Sequence, residues 1–241
     1  MKRFLLAVGF LTIIPVRLKE PPLPGDLGKA AGWFPVIGAA IGSLVAAAYY
    51  GLSFIFPPLL AAALAASVWI GLTGGLHLDG LADCFDGMLN ASSRERRLEI
   101  MQDPRLGTFG AIGLILSILM KIICLFSIPT NTAWIALPLA AAVGRSLLLP
   151  AGKQQMARPD GMGADFASSL NKTAFIWAAV VVGILSGLAG WRGLSVILVV
   201  LGVTWLVLCS VKARLGGVTG DVLGLIVELA ELVTMVGFCF R

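Results

Sequence analysis

Seven stretches of mostly apolar residues, at about 32–56, 58–76, 107–128, 132–150, 173–191, 193–211 and 222–240, take up most of this chain. Each is close to the roughly 20 residues that a helix needs to cross the hydrocarbon of a bilayer. In lipid every backbone polar group must be satisfied within the protein, so only helices and closed barrels span. A barrel would show ten-residue strands of alternating polarity, and these Ala/Leu/Ile/Val runs do not alternate. The expected fold is therefore all-α: a polytopic integral membrane bundle of about seven spanning helices, forming a single membrane-embedded domain over 1–241. With 58% hydrophobic and only 13% charged residues, against about 25% charged in soluble domains, a soluble globular fold is excluded, and so is disorder. Phe4–Val16 is too short to cross. Lys2 and Arg3 precede it as in a signal peptide, but no small-x-small cleavage site follows, so an interfacial or re-entrant helix is expected. Cys84, Cys124, Cys209 and Cys239 stand apart with no Cys-x-x-Cys pair and read as packing residues.

The basic residues give an orientation. Segments 1–31, 77–106, 151–172 and 212–221 hold fourteen of the 18 Lys and Arg, whereas the opposite side has only Arg192 and Arg241. By the positive-inside rule the fourteen face the cytoplasm. This explains the net charge of +5 without a nucleic-acid partner. It also puts the acidic residues on the same face, since nine of the 13 lie in 79–103 or 221–231.

Those acids are concentrated in two glycine-marked runs, Gly74-Gly75-Leu-His77-Leu-Asp79-Gly80-Leu-Ala-Asp83-Cys-Phe-Asp86-Gly87 and Gly216-Gly217-Val-Thr219-Gly220-Asp221 through Glu228 and Glu231. Asp79, Asp83 and Asp86 are spaced i, i+4, i+7, on one face of a helix. Like charges so placed repel unless a cation joins them. Oxygen donors without cysteine point to Mg²⁺ or Mn²⁺ over zinc. Asp221, Glu228 and Glu231 repeat the device at i, i+7, i+10, with the glutamates one or two turns inside the membrane, where an unpaired carboxylate is costly. The glycines permit close approach of backbone or ligand. A shared Gly-Gly-x-x-x-Asp pattern aligns Asp79 with Asp221 and hints at an internal repeat.

Between the runs, Ser92 or Ser93 caps a short charged helix that Pro104 ends. Arg94, Arg96 and Arg97 read as its surface charges, held by the leaflet potential. Arg105, in the Asp103-Pro104-Arg105-x-Gly turn, reads as a phosphate contact. His77 is the chain's one histidine and sits within the acidic run. Lys121 and Arg145 fall inside spans, where an ionisable group is functional or paired: Lys121 can snorkel, and Arg145 can meet Glu228 or a ligand phosphate. The Arg158–Phe166 loop is expected at the same face as a lid or substrate contact. Together these residues suggest metal-assisted phosphoryl transfer at a membrane surface. No Walker loop or Gly-x-Ser-x-Gly elbow is present. A cation transporter would spread its polar groups at mid-membrane, whereas these crowd at one face.

Three motifs carry a family likeness: Gly-Gly-Leu-His77-Leu-Asp79-Gly-Leu-Ala-Asp83-x-x-Asp86-Gly, Glu99-Ile-Met-x-Asp103-x-Arg105-Leu-Gly-Thr, and Leu-Gly216-Gly217-x-Thr219-Gly-Asp221-x-Leu-Gly-x-x-x-Glu228-Leu-x-Glu231-Leu. With Phe10-Leu-Thr-Ile-Ile-Pro15 and the Gly-x-Gly-x-x-Phe loop at 161–166, the chain resembles the cobalamin synthase family, the adenosylcobinamide-GDP ribazoletransferases, over nearly its whole length.

The resemblance implies a Mg²⁺-dependent late step of cobalamin assembly. Adenosylcobinamide-GDP and α-ribazole, or its 5′-phosphate, give adenosylcobalamin, or its phosphate, and GMP. It further implies Asp79, Asp83, Asp86, Asp221 and Glu228 as metal ligands. Arg105, Asp103, Arg145, Arg158, Lys212, Arg214, Gly216, Gly217 and Thr219 become candidate substrate contacts. Asp86, Glu231 and His77 are candidate proton-transfer groups. The partners are then two small molecules and the lipid bilayer, with a homo-oligomer open, at the cytoplasmic (inner) membrane. The runner-up is a CDP-alcohol-type lipid phosphotransferase, whose Asp-x-x-Asp-Gly-x-x-Ala-Arg pattern is met only through Asp83-x-x-Asp86-Gly87, Asn90-Ala91 standing where Ala-Arg belong.

Overall fold

Proline and glycine punctuate a chain whose spans are otherwise uninterrupted. The computed structural model describes residues 1–158 and 160–240. Arg241 of the far-side charge count, and Pro159 of the Arg158–Phe166 loop, lie outside the described residues. Helix α1 (Lys2–Leu11) leads to α2 (Asp26–Ala30), which passes through a 3-10 turn into α3 (Phe34–Ser53). Then follow α4 (Pro58–Thr73), α5 (Leu76–Leu89), the short α6 (Arg94–Ile100), α7 (Thr108–Ser127) and α8 (Thr130–Gly152). The chain closes with α9 (Met162–Ser168), α10 (Lys172–Leu188), α11 (Gly190–Leu215) and α12 (Gly220–Cys239).

Among the described residues five helices are long and apolar enough to cross a membrane. Two bent pairs, α4 with α5 at 92° and α9 with α10 at 96°, bring the number to as many as seven. The chain is an all-α, multi-pass membrane bundle. At ten residues α1 is half the length of a span; it packs on α2 and α3.

Helices α8 and α12 occupy the centre, and one connected apolar cluster runs through them from Ala7 to Phe238. Helix α3 lies closest on α8, through a Gly38-x-x-x-Gly42 stripe on the α3 face. A methyl added at Gly38 would come within 2.9 Å of the Ala141 carbonyl carbon, and one at Gly42 within 2.6 Å of Pro138 Cα. Small residues at such crossings let backbones pack where no hydrophobic effect drives helices together. Helices α10 and α11 lie outermost, with Trp177, Trp191, Leu198 and Trp205 exposed, as expected of a lipid-facing surface. The four cysteines are free thiols.

Candidate active site

Both acidic runs have one local architecture. Helix α4 ends at Gly74 (φ +62°) and α5 starts after Gly75 (φ +67°), two consecutive left-handed residues that produce the right-angle bend. Helix α11 likewise ends at Gly216 (φ +74°) before α12 begins. Only glycine adopts this conformation without strain. Each following helix carries an aspartate in its first turn, Asp79 in α5 and Asp221 in α12, where the helix dipole favours negative charge. Thr219 caps α12, its hydroxyl accepting the Val222 amide at 3.3 Å and donating to Asp221 Oδ2 at 3.2 Å.

The two helices touch at these acids. Gly80 faces the Asp221 backbone so closely that a Cβ would lie 2.7 Å from its carbonyl oxygen, and Gly224 faces His77 in the same way. Asp83, half-buried one turn further along α5, feels the charges of Asp221, Asp79 and Asp86. Arg158 comes over from the segment after α8, with Nη1 3.8 Å from Asp221 Oδ2 and Nη2 donating to the Leu98 carbonyl at 2.6 Å. Four aspartates thus share one region. Among the described residues no three His, Cys, Asp or Glu side chains already converge on a single ion position. The donors are all hard oxygens, which is the chemistry Mg²⁺ selects.

Asp86 is committed to the backbone. Its Oδ2 accepts the Gly107 amide and its Oδ1 the Gly110 amide, each at 2.8 Å. It therefore satisfies the open N-terminus of α7 and ties that helix to α5. Each oxygen keeps a further lone pair.

The glutamates go elsewhere. Glu228 and Glu231 lie too far along α12 to join the aspartates and instead meet the two cations of the bundle interior. Lys121 Nζ sits 2.8 Å from Glu228 Oε2 and 2.6 Å from Glu231 Oε2, while Arg145 pairs with Glu231 Oε1. Ser117 donates to Glu228 at 3.3 Å, and Lys121 lies 4.9 Å from the centre of the Trp69 ring. Lys121 does not snorkel; it is 1% exposed and Glu231 fully buried. Two positive and two negative charges cancel, and that balance lets ions persist away from water.

Other expected contacts are spread around the rim. Arg105 is exposed and holds Asp103 through Nε at 2.9 Å and Nη2 at 2.6 Å. Those bonds, with the Arg105 amide, push the Asp103 carboxyl down to about 2. Arg214 caps α5 by donating to the Met88 carbonyl at 2.7 Å, and Lys212 faces outward. Gly217 abuts the 155–157 main chain, where Val218 bridges Met156 through bonds of 2.8 Å to Gln155 and from Ala157. Gly216 packs under the Arg94 guanidinium. Backbone geometry accounts for both glycines.

Two cavities flank the aspartate face. One of about 310 Å³ is lined by His77, Asp79 and Asp221 together with Arg158, Phe34 and Phe166. The other, further along α5, is lined by Asp86, Asn90, Arg96, Glu99, Asp103 and Arg105. The His77 ring is 5% exposed and meets the first cavity. The apolar lining of that cavity, including Phe10 from α1, has no charge or spacing pattern that marks it in the sequence. Its only sequence trace was the presence of Phe10 and Phe166 within the family-like segments.

The family model described as cobalamin-5-phosphate synthase matches residues 3–239. The chain belongs to this family. Similar relatives are named adenosylcobinamide-GDP ribazoletransferase. The protein from Pseudomonas aeruginosa is 40% identical over 241 residues, covering 98% of this chain and 97% of its own. That from Stutzerimonas stutzeri is 37% identical, covering 100% and 99%, and that from Acetivibrio thermocellus 35%, covering 99% and 97%. No solved structure matches. For a cobalamin-5-phosphate synthase family member, the acid-rich helices α5 and α12 are the pieces that the rest of the bundle holds in contact.

Proposed function

We propose that this chain transfers the cobinamide-phosphate group of adenosylcobinamide-GDP to α-ribazole or its 5′-phosphate, releasing GMP, at the cytoplasmic face of the inner membrane. The observation that carries this reading is the position of the aspartates between two cavities, Asp79 and Asp221 lining one and Asp86 the other. A transfer between two substrates needs the group in transit to lie where both can reach it. Family membership favours this over the lipid phosphotransferase.

In this reading Asp79, Asp83 and Asp221 would hold Mg²⁺, with Asp86 alongside. When bound, the ion neutralises diphosphate oxygens and so stabilises the charge of the transition state. Arg158, beside Asp221, binds a phosphate oxygen at the same place. Arg105, exposed at the second cavity, receives the departing GMP; phosphate competes for its planar fork with Asp103. The acceptor hydroxyl attacks the phosphorus bearing the cobinamide arm, the bond to the GMP oxygen breaks, and the hydroxyl proton passes to a carboxylate of the aspartate face. Glu231 is engaged with Lys121 and Arg145, and both Asp86 oxygens hold α7. Glu228 serves the buried charge cluster.

The test is GMP release by the detergent-solubilised protein from adenosylcobinamide-GDP and α-ribazole. Release that needs both substrates and Mg²⁺ and stops with excess EDTA is expected. Release undiminished by EDTA removes the metal, and no release removes the activity. A cysteine placed at position 57 should react with an impermeant thiol reagent from outside the cell; reaction only from inside reverses the orientation.

A further inference from the structure

Resting on that reading, we propose that the acceptor's aromatic base binds in the cavity at the Asp79 and Asp221 end of α5, seated against Phe10, Phe34 and Phe166, while the larger donor occupies the Asp86 end. The polar lining of this cavity comes from α5, α12 and the segment after α8. The remaining wall comes from α1, α2, α3, α8 and α9, and contributes Phe10, Leu27, Phe34, Leu148 and Phe166, with no hydrogen-bonding side chain. Phe34 is the middle of a column of rings, its centroid 5.7 Å from that of Phe10 and 5.7 Å from that of Phe166, with interplanar angles of 20° and 5°.

Such a wall selects its occupant by what it lacks. A guanine buried there would leave its amide and amino edge without partners, a cost that hydrophobic contact does not offset. A methylated benzimidazole, the kind of base a ribazole carries, has no donor and a single acceptor, the imine nitrogen of its five-membered ring, and otherwise offers ring faces and methyl groups. Size selects the same way. About 310 Å³ lies at the low end of ligand pockets, roughly 300–1,000 Å³, and suits one nucleoside but not a corrin macrocycle. The polar end then meets the sugar. His77 is 5% exposed, and among the described residues no group hydrogen-bonds its ring, leaving it free for a ribose hydroxyl. Asp79 and Asp221 stand where that hydroxyl meets the diphosphate. The Asp86 cavity, with Arg96, Glu99, Asp103 and Arg105, is the polar one and suits a charged nucleotide and an amide-rich ring system.

The experiment uses the full-length protein in detergent. Leu148→Trp fills the cavity from α8, and Phe10→Ala removes the half-buried end of the aromatic column. Each is expected to raise KM for α-ribazole at least tenfold and to leave KM for adenosylcobinamide-GDP within twofold. The reverse pattern, or two unchanged constants, overturns the proposal. On wild-type protein, a benzimidazole riboside carrying an aryl azide should label peptides containing residues 10, 34, 148 or 166 on illumination. Labelling confined to 96–109 also overturns it, and this measurement stands even if both variants fail to fold. Absence of GMP release from the wild type defeats the transfer reading itself, whereas an active wild type with label in the wrong place defeats only the assignment of cavities.

Discussion

Gly80 and Asp221 meet backbone to backbone, and a single added methyl at Gly80 would lie 2.7 Å from the Asp221 carbonyl oxygen and 3.0 Å from its Cα. That contact fixes how far Asp79 and Asp83 stand from Asp221. Gly80→Ala must push α5 from α12 by several tenths of an ångström. Since helix propensity favours alanine, the protein should still insert, while GMP release falls about tenfold or more, as displacements within a catalytic set do. Wild-type turnover in this variant would show that the separation of the two helices does not matter.

Asp83 sits amid three other aspartates and has no structural bond to lose. Asp83→Asn should therefore abolish turnover while the purified protein keeps the wild-type melting temperature in detergent. Turnover within threefold of wild type would take Asp83 out of the metal-holding group.

Asp86 predicts the opposite balance. Its carboxylate supplies two amide bonds to α7, so Asp86→Ala should lower stability by about 2 kcal/mol, with Asp86→Asn losing less because one oxygen remains. Thermal unfolding in detergent separates the two variants. Equal and negligible shifts would mean that α7 does not depend on this cap.

Within the buried cluster, Glu231→Gln leaves Lys121 and Arg145 facing one carboxylate. Removing one partner of a buried pair costs about 3–5 kcal/mol, so this variant should express poorly or melt well below the wild type. A variant that is fully stable but inactive would return Glu231 to the chemistry.

Asp103 carries a pH prediction. Its folded-state value, held at about 2 by Arg105, lies below the ordinary carboxylate value of about 3.9. The pairing is therefore complete above that ordinary value and weakens only as pH falls toward 2. At any working pH both groups stay charged, so Asp103→Asn should leave the shape of the pH–rate profile unchanged. A displaced acid limb would show that Asp103 titrates during turnover.

The spans, the short N-terminal helix and the shared face of Asp79, Asp83 and Asp86 were legible because they depend on local composition and on helical spacing. The partners of Glu228 and Glu231 were not. Lys121 and Arg145 were recognisable as buried charges, but whether they meet ligand phosphate or glutamate depends on how α7 and α8 rotate against α12, whose glutamates lie more than eighty residues further along the sequence. Nor did spacing show that Asp86 caps α7: the Gly107 and Gly110 amides come from beyond a turn and a short helix. The glycines at 216 and 217 were legible as points of close approach, but that the approach is by the chain's own 155–157 segment and Arg94 is a tertiary fact. The part played by α1 was hidden for a different reason. A wall of phenylalanines has the same composition as ordinary core.

The two-residue joint at Gly74 and Gly75 sets the azimuth of α5 as well as its direction. A helix turns by about 100° per residue, so inserting or deleting a single residue between Thr73 and Leu76 would swing all three aspartates of α5 around its axis, away from α12, with every acid still present in the sequence. If the proposed roles of these carboxylates hold, the length of that joint is as much a determinant of the reaction as their identity, and a chain could lose its chemistry there without losing a single charged group.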